Sequence, residues 1–167
     1  MPIIVQKYGG SSIESIEKIR NVAKRISECR KKGFDLVVVV SAMGKTTDYL
    51  IDMAHQVSSK PKKREMDVLM STGEQVSISL LSIALNDIGI AAVSYTGPQL
   101  GIKTEGYHTK SRISEIDKEV ILSEINRGKV VIVAGFQGVN EKNEITTLGR
   151  GGSDTTAVAI AAKLECP

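Results

Sequence analysis

The chain has 167 residues, room for one domain of ordinary size that hides roughly 70% of its unfolded surface without a disulfide or metal staple. Apolar residues at 41% and charged residues at 25% exclude disorder and fibrous repeats. The net charge of +3 (22 basic, 19 acidic) and an aromatic content of 4% without tryptophan argue against a nucleic-acid partner. No apolar run approaches the ~18 residues of a membrane span, and Met1-Pro2-Ile3-Ile4-Val5 is not a signal peptide. Cys29 and Cys166 have no motif partner and read as reduced thiols, so the expectation is a cytoplasmic protein away from membranes.

Strand and helix patterns alternate along the chain. Ile3-Ile4-Val5 opens a strand that closes at Gly9-Gly10. Ser11 and Glu14 then form a Ser-x-x-Glu capping box, followed by Ile13, Ile16, Ile19, Ala23 and Ile26 at helical spacing and a stop at Gly33. Leu36 to Val40 is an unbroken apolar run, as in a parallel strand buried on both faces. A loop from Ser41 to Thr47 leads into a helix near Asp48 to Val57. Lys60-Pro61-Lys62-Lys63-Arg64 reads as a solvated turn, although a basic run could also touch phosphate. Val76, Leu80, Leu81, Ala84, Leu85 and Ile88 predict a helix buried on much of its circumference, capped by Gly89 and followed by a strand at Ile90 to Val93. Glu115 to Arg127 reads as a helix and Val130 to Val133 as a second fully buried strand. Phe136 to Thr147 has the form of a hairpin turning at residues 140–143, and Gly149 to Gly152 runs into a helix from Ser153 to about Leu164. Such succession argues for an α/β sandwich around a mostly parallel sheet.

In open α/β sheets, ligands bind beyond the carboxyl ends of the strands. Gly9-Gly10 lies there, where paired glycines admit a phosphate to a helix N-terminus and Lys7 supplies a compact positive charge; a tight turn beside a solvated lysine is the simpler reading. Gly44-Lys45-Thr46 resembles the end of a P-loop, but Val39 stands where the first glycine is required, inside a buried strand. Ser41 and Thr47 are candidates for polar contacts, or plain capping residues. In Gly149-Arg150-Gly151-Gly152-Ser153-Asp154, three glycines clear the space around one arginine whose planar fork suits a carboxylate. Ser153 and Asp154 there could equally serve as helix caps. Glu74 sits in a first helical turn, where an acid either serves the helix dipole or binds an amino group. His55 and His108 stand alone, without metal-ligand spacing or a catalytic-triad signature, so neither zinc nor covalent catalysis is expected.

At these residues the chain resembles the aspartate kinases. Lys7-Tyr8-Gly9-Gly10-Ser11-Ser12 is similar to their Lys-Phe-Gly-Gly-Thr-Ser opening, with Tyr8 and Ser11 as mild departures. Val40 to Gly44, Thr72-Gly73-Glu74, Gly135-Phe136-Gln137-Gly138 and Thr147 to Asp154 follow in that family's order, over essentially the whole chain. The resemblance implies the amino acid kinase fold, a three-layer α/β/α sandwich with a mostly parallel central sheet. It implies transfer of the ATP γ-phosphoryl group to the side-chain carboxylate of L-aspartate. That is the first step toward lysine, threonine, methionine and, in bacteria, diaminopimelate. Carried over residue by residue, Lys7 and Asp154 are catalytic, the acid orienting the lysine. Glu74 holds the substrate amino group and Arg150 a substrate carboxylate, with Ser41, Thr47 and Ser153 adding hydroxyl contacts. Lys7, Gly9, Gly10, Ser11, Gly151 and Gly152 face the ATP phosphates. Mg²⁺ arrives with ATP, no separate metal site is implied, and the full-length protein is expected to be a homo-oligomer.

Family members continue with a nucleotide-binding segment containing an Asp-Gly-Val-Tyr-Thr-Thr-Asp-Pro-type stretch, and then regulatory ACT domains, whereas this sequence closes at Glu165-Cys166-Pro167. Residues 1–167 are therefore expected to form the amino-acid-binding part of the kinase domain, a truncated version of the fold with weak or absent ATP binding alone. The alternatives are another amino acid kinase, acting on glutamate, acetylglutamate or a nucleoside monophosphate, or a catalytically incompetent fragment that only binds the amino acid.

Overall fold

The structure, a computed structural model, describes residues 1–166. In chain order its first half comprises β1 (Ile3–Tyr8), a 3-10 turn at Gly10–Ile13, α1 (Ile16–Lys31), β2 (Asp35–Val40), α2 (Thr46–Val57), α3 (Lys63–Met70) and α4 (Thr72–Asp87). The second half comprises β3 (Ala92–Tyr95), β4 (Ile102–Glu105), β5 (Arg112–Ile116), α5 (Glu119–Asn126), β6 (Val130–Ala134), β7 (Gln137–Val139), β8 (Ile145–Thr147) and α6 (Gly152–Lys163).

The two unbroken apolar runs occupy the centre. A sheet of order β1-β2-β6-β3 is parallel throughout, and every residue of β2 and β6 is buried. Alternation splits the run in β2 between two cores. Leu36, Val38 and Val40 pack with Ile19, Val22 and Ile26 of α1 and Ile78, Leu81 and Leu85 of α4. Val37 and Val39 face the other way, toward Ile121 and Ile125 of α5 and Ile160 of α6. Helices on both faces of a parallel sheet give the three-layer α/β/α arrangement. All four strands point their carboxyl ends to one edge.

Several local expectations are corrected. The Ser11/Glu14 capping box does not form: Ser11 lies in the 3-10 turn, and Ser15 caps α1 by accepting from the Lys18 amide at 3.2 Å. Glu14 instead pairs with the Lys18 ammonium at 2.5 Å. The basic run is only partly a turn, because Lys63 and Arg64 begin α3 and turn Met66, Asp67 and Met70 inward one helical turn apart. The third strand of the chain runs from Ala92 rather than Ile90, and Glu115 and Ile116 belong to β5, so α5 starts only at Glu119.

A second sheet, β5-β4-β7-β8, mixes antiparallel hairpins with one parallel pairing and covers the core carrying Leu100, Ile102 and Ile116. α4 is less enclosed than its composition implies, with Val76, Ile83 and its C-cap residue Ile88 exposed. Although no apolar run there is long, the 25 residues Lys63–Asp87 reach the length and mean apolarity of a membrane span. Its most apolar 18-residue window is 50% buried against the rest of the chain, and Asp67, Glu74 and Ser77 are among the buried residues of these two helices.

Candidate active site

At the carboxyl edge of the parallel sheet lies an open cleft of about 670 Å³. The loops after β1 and β2 meet there because Gly10 has no side chain: a Cβ would fall 2.7 Å from the Gly44 carbonyl oxygen and 2.9 Å from that of Ala42. The Gly44 amide donates to the Gly10 carbonyl at 2.9 Å, locking the two loops together. Opposite them, residues 149–152 form a turn in which Gly149 (φ 86°) and Gly151 (φ 70°) adopt the left-handed conformation that glycine accepts without strain. That turn delivers the N-terminus of α6 to the cleft, where the first amides of a helix lack intrahelical acceptors and favour an anion.

Lys7, Gly10, Ser41, Thr47, Glu74 and residues 150–154 all line this cleft, joining candidates from β1, the two loops and the starts of α2, α4 and α6. Lys7 Nζ stands 2.9 Å from Asp154 Oδ1. Both groups are solvent-accessible, so the pair contributes only about 0–1 kcal/mol to stability, and its consequence is the placement of the ammonium. Gly9 is off the wall but beside Lys7, whose Nζ would lie 3.3 Å from a Cβ at that position. Ser11 stands outside the cleft, exposed, its carbonyl accepting from Lys18 Nζ at 3.0 Å. Arg150 is exposed, and among the described residues its guanidinium makes no ion pair.

Glu74 differs from an ordinary first-turn acid. It is 2% exposed, and burial pushes its pKa from 4.5 up to about 8. A 3.3 Å hydrogen bond from Gln137 Nε2 to Glu74 Oε2 opposes that rise without cancelling it. Gln137 is itself fixed, donating to the Ser71 carbonyl at 3.0 Å and accepting from the Gly97 amide at 3.2 Å. With its pKa near 8 the carboxyl favours the protonated form at neutral pH, and an ammonium group placed against it would favour the ionised form.

Met66, Met70, Thr109 and Phe136 also line the cleft, and none of them was singled out by a sequence signal of its own. Met66 and Met70 went unread with α3, and nothing local marks Thr109. Phe136 lies in a quoted motif, yet its φ of 75° becomes visible only in the structure. His108, expected to stand alone, lies with its Nδ1 2.7 Å from Asp67 Oδ2. Among the described residues, no three His, Cys, Asp or Glu side chains converge as a cation site, and Cys29 and Cys166 are free thiols.

The model of the amino acid kinase family matches residues 2–167. The chain belongs to the amino acid kinase family. Among its curated relatives is a protein named Aspartokinase from Bacillus sp. (strain MGA3), 61% identical over 165 residues. That alignment takes in 99% of this chain and 40% of the relative, so the chain spans about two-fifths of the length of the curated proteins it matches. The crystal structure of aspartate kinase from Synechocystis superposes with a TM-score of 0.85 at 51% identity, covering 98% of this chain and 26% of that one. Aspartokinase III of E. coli, solved in complex with aspartate and ADP, has a TM-score of 0.86 over 99% of this chain and 47% of its own. At 22% identity, that likeness speaks for the fold alone.

Proposed function

We infer that the chain is the amino-acid-holding part of an aspartate kinase, transferring the γ-phosphoryl group of Mg²⁺-ATP to the side-chain carboxylate of L-aspartate to give 4-phospho-L-aspartate. One observation carries this reading: a buried acid for an ammonium group, Glu74, shares a single cleft with the cations Lys7 and Arg150. An α-amino acid with a second carboxylate presents the matching charges. The relatives named aspartokinase support the same choice among amino acid kinases.

A free aspartate carboxylate has a pKa near ~3.9, so the nucleophile is ionised at neutral pH and no general base is required. Its oxygen attacks the γ-phosphorus, a new O–P bond forms, the bond to the β,γ-bridging oxygen breaks, and ADP leaves with the electron pair. The difficulty is holding two anions together, which calls for positioning and positive charge. Lys7, steered by Asp154, supplies that charge to the transferring group, and the first amides of α6 with Gly151 and Gly152 supply further donors. Gly9 and Gly10 leave the phosphates room. Arg150 takes a carboxylate in a forked hydrogen bond and Glu74 the ammonium, with hydroxyls from Ser41, Thr47 and Ser153 around them. Ser11 stands too far out for the phosphate contact the resemblance implies. Mg²⁺ comes with the nucleotide. In a protein of the relatives' length, adenine and ribose contacts fall to other segments. Free thiols fit a cytoplasmic setting, and the reaction would open the synthesis of the lysine and threonine group of amino acids.

The test is ADP release by the full-length protein with L-aspartate, L-glutamate, N-acetylglutamate or a nucleoside monophosphate as acceptor. Turnover with L-aspartate alone is expected. Preference for any other acceptor would replace this reading.

A further inference from the structure

Asp67 is fully buried on α3 and has no place in the chemistry above. A carboxylate taken out of water is costly unless its oxygens are hydrogen-bonded, and here both are. Oδ1 accepts from Thr147 Oγ1 at 2.6 Å and from the Thr109 amide at 3.1 Å. Oδ2 accepts from that amide, also at 3.1 Å, and lies 2.7 Å from His108 Nδ1. One side chain thus ties together α3, the 107–111 turn and the end of β8.

Two of these segments line the cleft, and the third leads directly into its arginine turn. Thr109 lines it in the left-handed conformation (φ 69°), which a β-branched residue adopts only when its surroundings impose it. The Thr109 carbonyl lies against the arginine turn, since a Cβ on Gly149 would meet that oxygen at 3.2 Å. Thr147 comes two residues before Gly149 and three before Arg150, and its carbonyl accepts from the Ser111 amide at 3.0 Å. α3 adds Met66 and Met70 to the same wall. From outside, His108 Nε2 stands 3.6 Å from Glu144, which pairs with Arg64 of α3.

We propose that Asp67 is a positioning residue of the amino-acid site: by holding the Thr109 amide and the Thr147 hydroxyl at once, it fixes the turn against which Gly149 and Arg150 stand, and so sets the grip on the substrate carboxylate. The proposal rests on the aspartate kinase reading. Asp67 is not part of the cleft wall and acts through the backbone of its partners. An acid that served stability alone would alter the melting temperature of the protein and leave substrate affinity unchanged.

Steady-state kinetics of the full-length protein carrying Asp67→Asn, Asp67→Ala or Thr147→Val provide the test. The asparagine keeps the shape and one acceptor oxygen. Its KM for L-aspartate is expected to rise about tenfold, against about a hundredfold in Asp67→Ala, so that the conservative variant recovers much of the loss. KM for ATP should stay within about twofold of wild type, and kcat should fall by less than KM rises. Thr147→Val removes one hydroxyl while leaving the Asp67 carboxyl in place, and is read alone if neither Asp67 variant folds; a rise of about threefold or more in KM for L-aspartate is expected. An unchanged KM for L-aspartate in the folded variants overturns the proposal. Absence of aspartate-dependent turnover in the wild type overturns instead the reading beneath it.

Discussion

Glu74 offers the sharpest quantitative test of the cleft. Its pKa, lifted by burial from 4.5 to about 8, means that the folded protein keeps a proton which the unfolded chain gives up much earlier. The sign follows directly. Below about pH 4.5 the carboxyl is neutral in both states and exacts no penalty. As pH rises toward 8 the unfolded state alone ionises, so stability falls; above 8 both states are ionised and the loss levels off. At 1.36 kcal/mol for each pKa unit, the full excursion amounts to at most about 5 kcal/mol, a large share of a domain's ~5–15 kcal/mol. Glu74→Gln removes this slope. Denaturant unfolding of both proteins at intervals between pH 5 and pH 8 should show the wild type losing several kcal/mol relative to the variant. An aspartate ammonium reverses the balance by favouring the carboxylate, so binding at pH 7 should release close to one proton, read by calorimetry in buffers of different ionisation enthalpy. Parallel stability curves, together with no proton release, would refute the raised pKa assigned to Glu74.

The other expectations concern residues whose placement is equally definite. Lys7→Ala should lower kcat by about a hundredfold or more while moving L-aspartate affinity only a few-fold, since it removes a donor that acts on the transferring phosphoryl group; single-turnover kinetics and equilibrium titration separate the two effects. Arg150→Ala should raise KM for L-aspartate about 10- to 100-fold, the loss of a charged hydrogen bond worth about 1.5–3 kcal/mol, with little change in melting temperature because the side chain is exposed. Gly10→Ala forces a methyl to within 2.7 Å of the Gly44 carbonyl oxygen and should cost about 1–3 kcal/mol of stability along with the alignment of both phosphate-side loops, measured by thermal melting and kcat.

What the sequence made legible was whatever depended on near neighbours. Apolar runs located β2 and β6, and glycine clusters marked the turns after β1 and before α6. The remainder was hidden by long-range or polar burial. α3 is only eight residues long and carries a buried aspartate among its inward positions, so its apolar stripe is too short to show a period. Asp67 is explained by Thr109, 42 residues away, and by Thr147, 80 away. β4 does alternate, but with Thr104 facing inward, satisfied by Thr146 at 2.5 Å, so a count of apolar residues misses it. Glu74 was legible as a position and not as a state: only its burial in the fold pushes its pKa up to about 8.

Taken singly, Gly9-Gly10, Ser41, Thr47 and the arginine turn each admitted a purely structural reading. Topology removes much of that freedom. Once β1, β2 and β6 lie parallel and adjacent, the segments that follow them must emerge on the same edge, and those segments begin at residues 9, 41 and 135. A parallel sheet then requires each chain to return, so the helices that begin after those loops start at that edge as well. Glu74 and Arg150 stand at two such starts, α4 and α6, although neither directly follows a strand of the parallel sheet. The antiparallel hairpin β7–β8 makes this possible for Arg150: it carries the chain out from β6 and back, restoring the arginine turn to the edge it had left. Asp67, reaching Thr147 at the end of that hairpin, fastens the return where its accuracy matters to the cleft. The small second sheet is therefore part of how the site is built.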